Sequence, residues 1–61
     1  MQYRIELRKG SCIYVNGAHK LTDELAKYKT EEVEDIRRIR GKFTSETVMD
    51  IYGKFIGKKG K

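Results

Sequence analysis

The stretch Asp35-Ile36-Arg37-Arg38-Ile39-Arg40-Gly41-Lys42-Phe43-Thr44 decides the fold, because it reads both as the end of a helix and as a strand. As a helix over 31–40, Thr30 caps it, Glu31 and Glu32 open it, Arg37, Arg38 and Arg40 close it, and Gly41 stops it. That charge order complements the helix dipole at both ends. Glu34 and Arg38 form a favourable i,i+4 pair, and Val33, Ile36 and Ile39 recur at three-residue spacing. As a strand over 36–43, Ile39 and Phe43 would share a face across Gly41, leaving Arg38, Arg40 and Lys42 as a basic row on the other. Such a strand would complete a three-stranded sheet and relieve the marginal stability of a lone hairpin. Start, stop and charge signals outnumber that single packing need. The sequence therefore predicts a helix, with a ββαβα arrangement as the alternative.

Upstream, residues 3–8 alternate apolar and charged side chains, the period of a half-buried strand. Residues 12–15 form a second strand rich in β-branched and aromatic side chains. Placing Tyr3, Ile5 and Leu7 on one face with Ile13 and Val15 requires a loop with an odd number of residues. A three-residue Lys9-Gly10-Ser11 loop meets that condition, and a one-residue slip would turn the apolar set outward. Arg4, Glu6, Arg8, Cys12 and Tyr14 then line the outer face. Asn16-Gly17 is a strong hairpin dipeptide, and residues 18–21 after it read either as a short third strand or as an ordinary loop.

Thr22-Asp23-Glu24 resembles an N-cap with an acidic first turn, opening a short helix over 23–28. Thr44 repeats the signal, with Phe43 and Val48 in staple positions. Val48, Ile51, Tyr52 and Phe55 make one apolar stripe, predicting a helix over 45–56. The expectation is an α+β domain: an N-terminal antiparallel β-hairpin under two or three short helices. Residues 1–57 form one small domain, and 58–61 read as a flexible basic tail.

A chain of 61 residues buries too little surface to be more than marginally stable. Its single cysteine, Cys12, excludes an internal disulfide. Cys12 and His19 alone cannot supply a four-ligand structural zinc site, so no metal or other cofactor is expected. Pairing with a second copy would compensate, and a homodimer is expected on that ground. A free thiol, no signal peptide and no apolar run of spanning length suggest a cytoplasmic protein with no membrane association.

The net charge of +5 is unevenly distributed. Residues 1–22 carry +3, residues 23–35 carry −4 and residues 36–61 carry +6. Clustered basic charge points to an acidic partner. The candidate contacts are Arg4, Arg8 and Tyr14 on the ribbon, Arg37, Arg38, Arg40 and Lys42 in the arginine cluster, and Lys58 and Lys59 in the tail. These suit a phosphate backbone, duplex DNA above all, because phosphate contacts need charge more than geometry. The expected function is thus a small nucleic-acid-binding or regulatory protein. Arginine also pairs with carboxylates, so an inhibitor or adaptor docking on an acidic protein surface is the alternative.

Catalysis finds little footing. Cys12 and His19 lack a third residue to orient the histidine, the acidic pairs Glu31/Glu32 and Glu34/Asp35 read as helix-start and solvated-face residues, and Gly53, Gly57 and Gly60 follow a helix instead of opening one. No catalytic residue is assigned. A helix-turn-helix fails in two placements. Pairing 31–40 with 45–56 puts charged Arg38 and Lys42 where packing residues belong, and Lys54-Phe55-Ile56-Gly57 begins too short and glycine-rich a segment for a recognition helix.

Overall fold

A computed structural model describes residues 1–58 and has four antiparallel strands with two short helices on one side. The strands are β1 (Gln2–Leu7), β2 (Cys12–Asn16), β3 (Val33–Ile39) and β4 (Ser45–Thr47), in the spatial order β2-β1-β3-β4. The helices are α1 (Ala18–Leu25) and α2 (Met49–Tyr52), with 3₁₀ turns at Thr30–Glu32 and Gly53–Phe55. This is an α+β fold with the expected N-terminal hairpin.

The hairpin has the face parity that its apolar residues require. Tyr3 pairs with Val15 and Ile5 with Ile13, so the apolar residues of both strands share one face. The loop has three residues but sits one position earlier, as Arg8-Lys9-Gly10, closed by the Leu7 N–H donating to the Ser11 carbonyl at 2.8 Å. Gly10 has φ 102°, the positive angle that such three-residue loops require at their last position.

The downstream expectations for local structure need correction. The helix over 31–40 is a strand, β3, reached through a single 3₁₀ turn that contains Glu31 and Glu32. The alternative strand over 36–43 had the right type but the wrong bounds, since pairing in β3 ends at Ile39. Its helix-like spacing comes from a bulge. Glu6 pairs with Asp35 but Leu7 pairs with Val33, leaving Glu34 as an extra residue. A bulge shifts side-chain parity by one, so Val33 and Ile36 both reach the core although three residues apart. Ile39, beyond it, turns to the opposite face against Gln2 and Ser45.

The strand expected over 18–21 is the first half of α1, and the helix expected over 23–28 begins earlier and ends at Leu25. Asn16-Gly17 does not make a hairpin. Gly17, at φ 98°, turns the chain from β2 directly into α1, where Leu21 and Leu25 are four residues apart and fully buried. Thr22 is therefore internal, its hydroxyl donating to the His19 carbonyl at 2.9 Å. The helix expected over 45–56 is replaced at its start by β4, then continues only as α2 and a 3₁₀ turn. Thr44 closes the β3–β4 turn by accepting at its carbonyl from the Arg40 N–H, 3.0 Å away.

The core contains Tyr3, Ile5, Leu7, Val33 and Ile36 from the sheet, Leu21 and Leu25 from α1, and Val48 and Ile56 around α2. Tyr52 of α2 meets Tyr3 edge-on, with ring centroids 5.6 Å apart. Both helices cover the same face of the sheet. The other face has no element of the described chain over it.

Candidate functional site

Strand register determines what the uncovered face presents. Across it, Tyr14 of β2, Arg4 of β1, Arg37 of β3 and Thr47 of β4 form one row. The next row toward the β1–β2 loop is Cys12, Glu6 and Asp35, and the next toward the β3–β4 turn is Asn16, Gln2, Ile39 and Ser45. Two arginines stand opposite one another, and so do two carboxylates. Like charges directly opposite on a sheet repel, and this pattern is relieved along the strands. Arg4 Nη2 is 2.8 Å from Glu6 Oε2, and Arg37 Nη1 is 3.1 Å from Asp35 Oδ2.

The polar contacts hold these groups in defined positions. Arg37 donates from Nε to the Ser45 hydroxyl at 2.9 Å and from Nη2 to the Ser45 carbonyl at 3.3 Å, so all three of its nitrogens are engaged. Asp35 accepts from the Thr47 hydroxyl at 2.6 Å and from the Ile36 N–H at 2.8 Å. Burial by itself would raise the Asp35 pKa. The bonds from Thr47, Arg37 and the Ile36 amide outweigh it and bring the pKa below the usual aspartate value. Arg4 donates from Nη1 to the Tyr14 hydroxyl at 3.4 Å, while its Nε is buried without a partner among the described residues. The Tyr14 bond and the Glu6 charge outweigh desolvation and raise the Arg4 pKa above its ordinary value.

Two aromatic side chains flank this row. Tyr14 is 53% exposed on the edge strand. Phe43, at the tip of the β3–β4 turn, is 96% exposed. It was expected to staple a helix against Val48; instead Val48 is buried beside Ile36 and Phe43 projects from the turn. Arg4, Ile39 and Phe43 line a pocket of about 180 Å³ where the open face meets that turn. Arg4 thereby joins the two aromatics.

The nine candidate contacts divide accordingly. Arg4, Tyr14 and Arg37 come together on the open face, and Lys42 lies beside Phe43 at the turn. Arg38 follows Arg37 directly but faces the helix side, because neighbouring residues of a strand point in opposite directions. There Glu46 Oε2 accepts from Arg38 Nε at 2.7 Å and from Arg40 Nη1 at 3.0 Å, with a further bond from Arg38 Nη2. The Arg38 bonds lead and, with the Arg40 bond and both positive charges, outweigh the opposing burial, so the Glu46 pKa falls below the usual glutamate value. Arg8 lies at the far end of the sheet with Glu34 at 3.3 Å. Lys58 borders a groove of about 740 Å³ on the helix side, beside His19, Asp23 and Phe55. Lys59 lies outside the described residues.

Phe43 and Ile39 join the candidate site here, although the sequence reading did not single them out as contacts. A strand through 35–40 would have placed Phe43 in a turn beside Lys42, with no neighbour to cover it. Among the described residues, no three of His, Cys, Asp and Glu converge as metal ligands, and no helix is long and apolar enough to cross a membrane. Comparison with protein-family models, curated proteins and solved structures finds no match to this chain.

Proposed function

We propose that the protein binds nucleic acid through the open face of its sheet and the β3–β4 turn, in a regulatory and non-enzymatic role. One observation supports this most directly: Tyr14 and Phe43 are exposed on either side of Arg4 and Arg37, on a face that no helix of the described residues covers. Aromatic rings and guanidinium planes are the groups on which bases stack. The net charge of +5 favours encounter with a polyanion. The exposed free thiol of Cys12 suits the reducing cytoplasm, where we expect the protein to act.

Docking on an acidic protein surface is the second reading. It is favoured by the same Phe43, a nearly fully exposed ring next to Lys42 that could fill a partner's pocket. Titrating labelled oligonucleotide with protein at increasing salt separates the two. Nucleic-acid binding predicts an affinity that falls steeply with salt, and Lys42→Gln should reduce the slope by about one. No binding at about 50 mM salt, where non-specific affinity is strongest, rejects the first reading.

A further inference from the structure

The arginines that suggested a phosphate-binding surface are largely committed within the protein. Every nitrogen of Arg37 already donates to Ser45 or Asp35. Arg38 and Arg40 share one oxygen of Glu46 on the opposite side of the sheet. On the open face, the charges of Arg4 and Arg37 are matched by Glu6 and Asp35. A phosphate backbone would have to displace these carboxylates or share their donors. What remains available is flat: the Tyr14 ring, the planar faces of the guanidinium groups, and the Phe43 ring.

Among the described residues, no helix offers an alternative route to a duplex. α1 has eight residues and buries Leu21 and Leu25 against the sheet, and α2 has four. A duplex keeps its base faces inside the stack, whereas a single strand exposes them. Tyr14 and the β3–β4 turn are separated by two strand spacings, roughly 10 Å across the sheet, and by roughly 10 Å along it. That distance accommodates two or three splayed bases, comparable to the number stacked on other open nucleic-acid-binding sheets. Lys42 has no ion pair among the described residues and could meet the phosphate next to a base on Phe43.

We infer that the ligand of this face is single-stranded nucleic acid, held by base stacking on Tyr14 and Phe43 with Lys42 at the adjoining phosphate. This rests on the nucleic-acid reading above and specifies its ligand.

The test is fluorescence anisotropy with labelled oligothymidylate, and with the same strand paired to oligoadenylate, using wild type, Tyr14→Ala, Phe43→Ala and Phe43→Tyr. Both aromatics are exposed, so circular dichroism should show all variants folded. The expected result is tighter binding of the single strand than of the duplex. Each alanine variant should weaken single-strand binding about tenfold or more, and Phe43→Tyr should retain it. Duplex binding at least as tight as single-strand binding, with both alanine variants unchanged, overturns the inference and leaves nucleic-acid binding intact. Failure of the wild type to bind either probe at about 50 mM salt overturns both.

Discussion

The two hairpins of this sheet are built from different interactions. In β1–β2 five residue pairs are in register, and strict alternation points Tyr3, Ile5, Leu7, Ile13 and Val15 toward the helices. In β3–β4 only three pairs are in register. Only Val33 and Ile36 of that hairpin's strands belong to the buried core, and Val48 joins them just beyond β4. Its remaining ties are polar: Arg37 to Ser45, Thr47 to Asp35, and Arg38 and Arg40 to Glu46. The first hairpin is thus held mainly by burial and the second by side-chain hydrogen bonds and ion pairs. The polar hairpin also carries the exposed Phe43. Apolar burial and an exposed apolar tip compete for the same few side chains, so a small domain can place such a tip where polar contacts do the holding.

The largest effect is expected in β3. Ile36→Ala should destabilise the domain by about 2–5 kcal/mol in urea denaturation, enough to unfold much of a chain this small. Ile39→Ala, on the open face, should cost far less. Equal losses would mean that the bulge at Glu34 does not set the strand's faces.

A smaller effect is expected at the turns. Gly10→Ala should cost about 1–2 kcal/mol because φ at that position is 102°. Gly41 has no positive φ, and a Cβ there would meet only the Thr44 hydroxyl, at 3.0 Å. Gly41→Ala should cost less than Gly10→Ala, and the reverse order would contradict the two turn conformations.

Acid should sharpen the contrast further. Asp35 and Glu46 have folded-state pKa values below their unfolded ones. A depressed carboxylate contributes stability that is complete above the unfolded pKa and is lost as pH falls through the folded one. The β3–β4 hairpin should therefore begin to loosen as pH drops below about 4.5, the ordinary glutamate range. Hydrogen exchange should show its amides losing protection before those of β1–β2. Asp35→Asn with Glu46→Gln should remove much of that acid sensitivity; a double variant that loosens at the same pH would show that other groups control it.

The smallest effect concerns Phe43. At 96% exposure, Phe43→Ala should leave stability within about 0.5 kcal/mol of wild type. A larger loss would show that the ring is packed and not free for a ligand.

Much of the first hairpin was legible from residues alone. Alternation located both strands, and face parity required an odd loop, although the turn lies one residue earlier than its glycine suggested. The second hairpin was hidden by one extra residue. Glu34 converts strand spacing into the i, i+3 spacing of Val33 and Ile36, and the acidic-to-basic order from Glu31 to Arg40 imitates a helix with favourable ends. Local propensity and dipole complementarity contribute fractions of a kcal/mol. Pairing β3 against β1 buries Val33 and Ile36 and continues the ladder, which outweighs them.

The candidate site shows the same division. Arg4 and Tyr14 were assigned correctly to one face because the first hairpin's period reveals its faces. The arginine cluster was misjudged as a unit, since adjacency in sequence places Arg37 and Arg38 on opposite sides once the chain is extended. Composition, the α+β class, the N-terminal ribbon and the clustered charge were determined by the sequence itself, because they depend on residue type and local period. The helix-or-strand choice at 35–40, the exposure of Phe43 and the pairing of arginines with carboxylates were decided by tertiary structure. These depend on strand partners distant in the chain, and a single bulge there changes which side chains face the core and which face solvent.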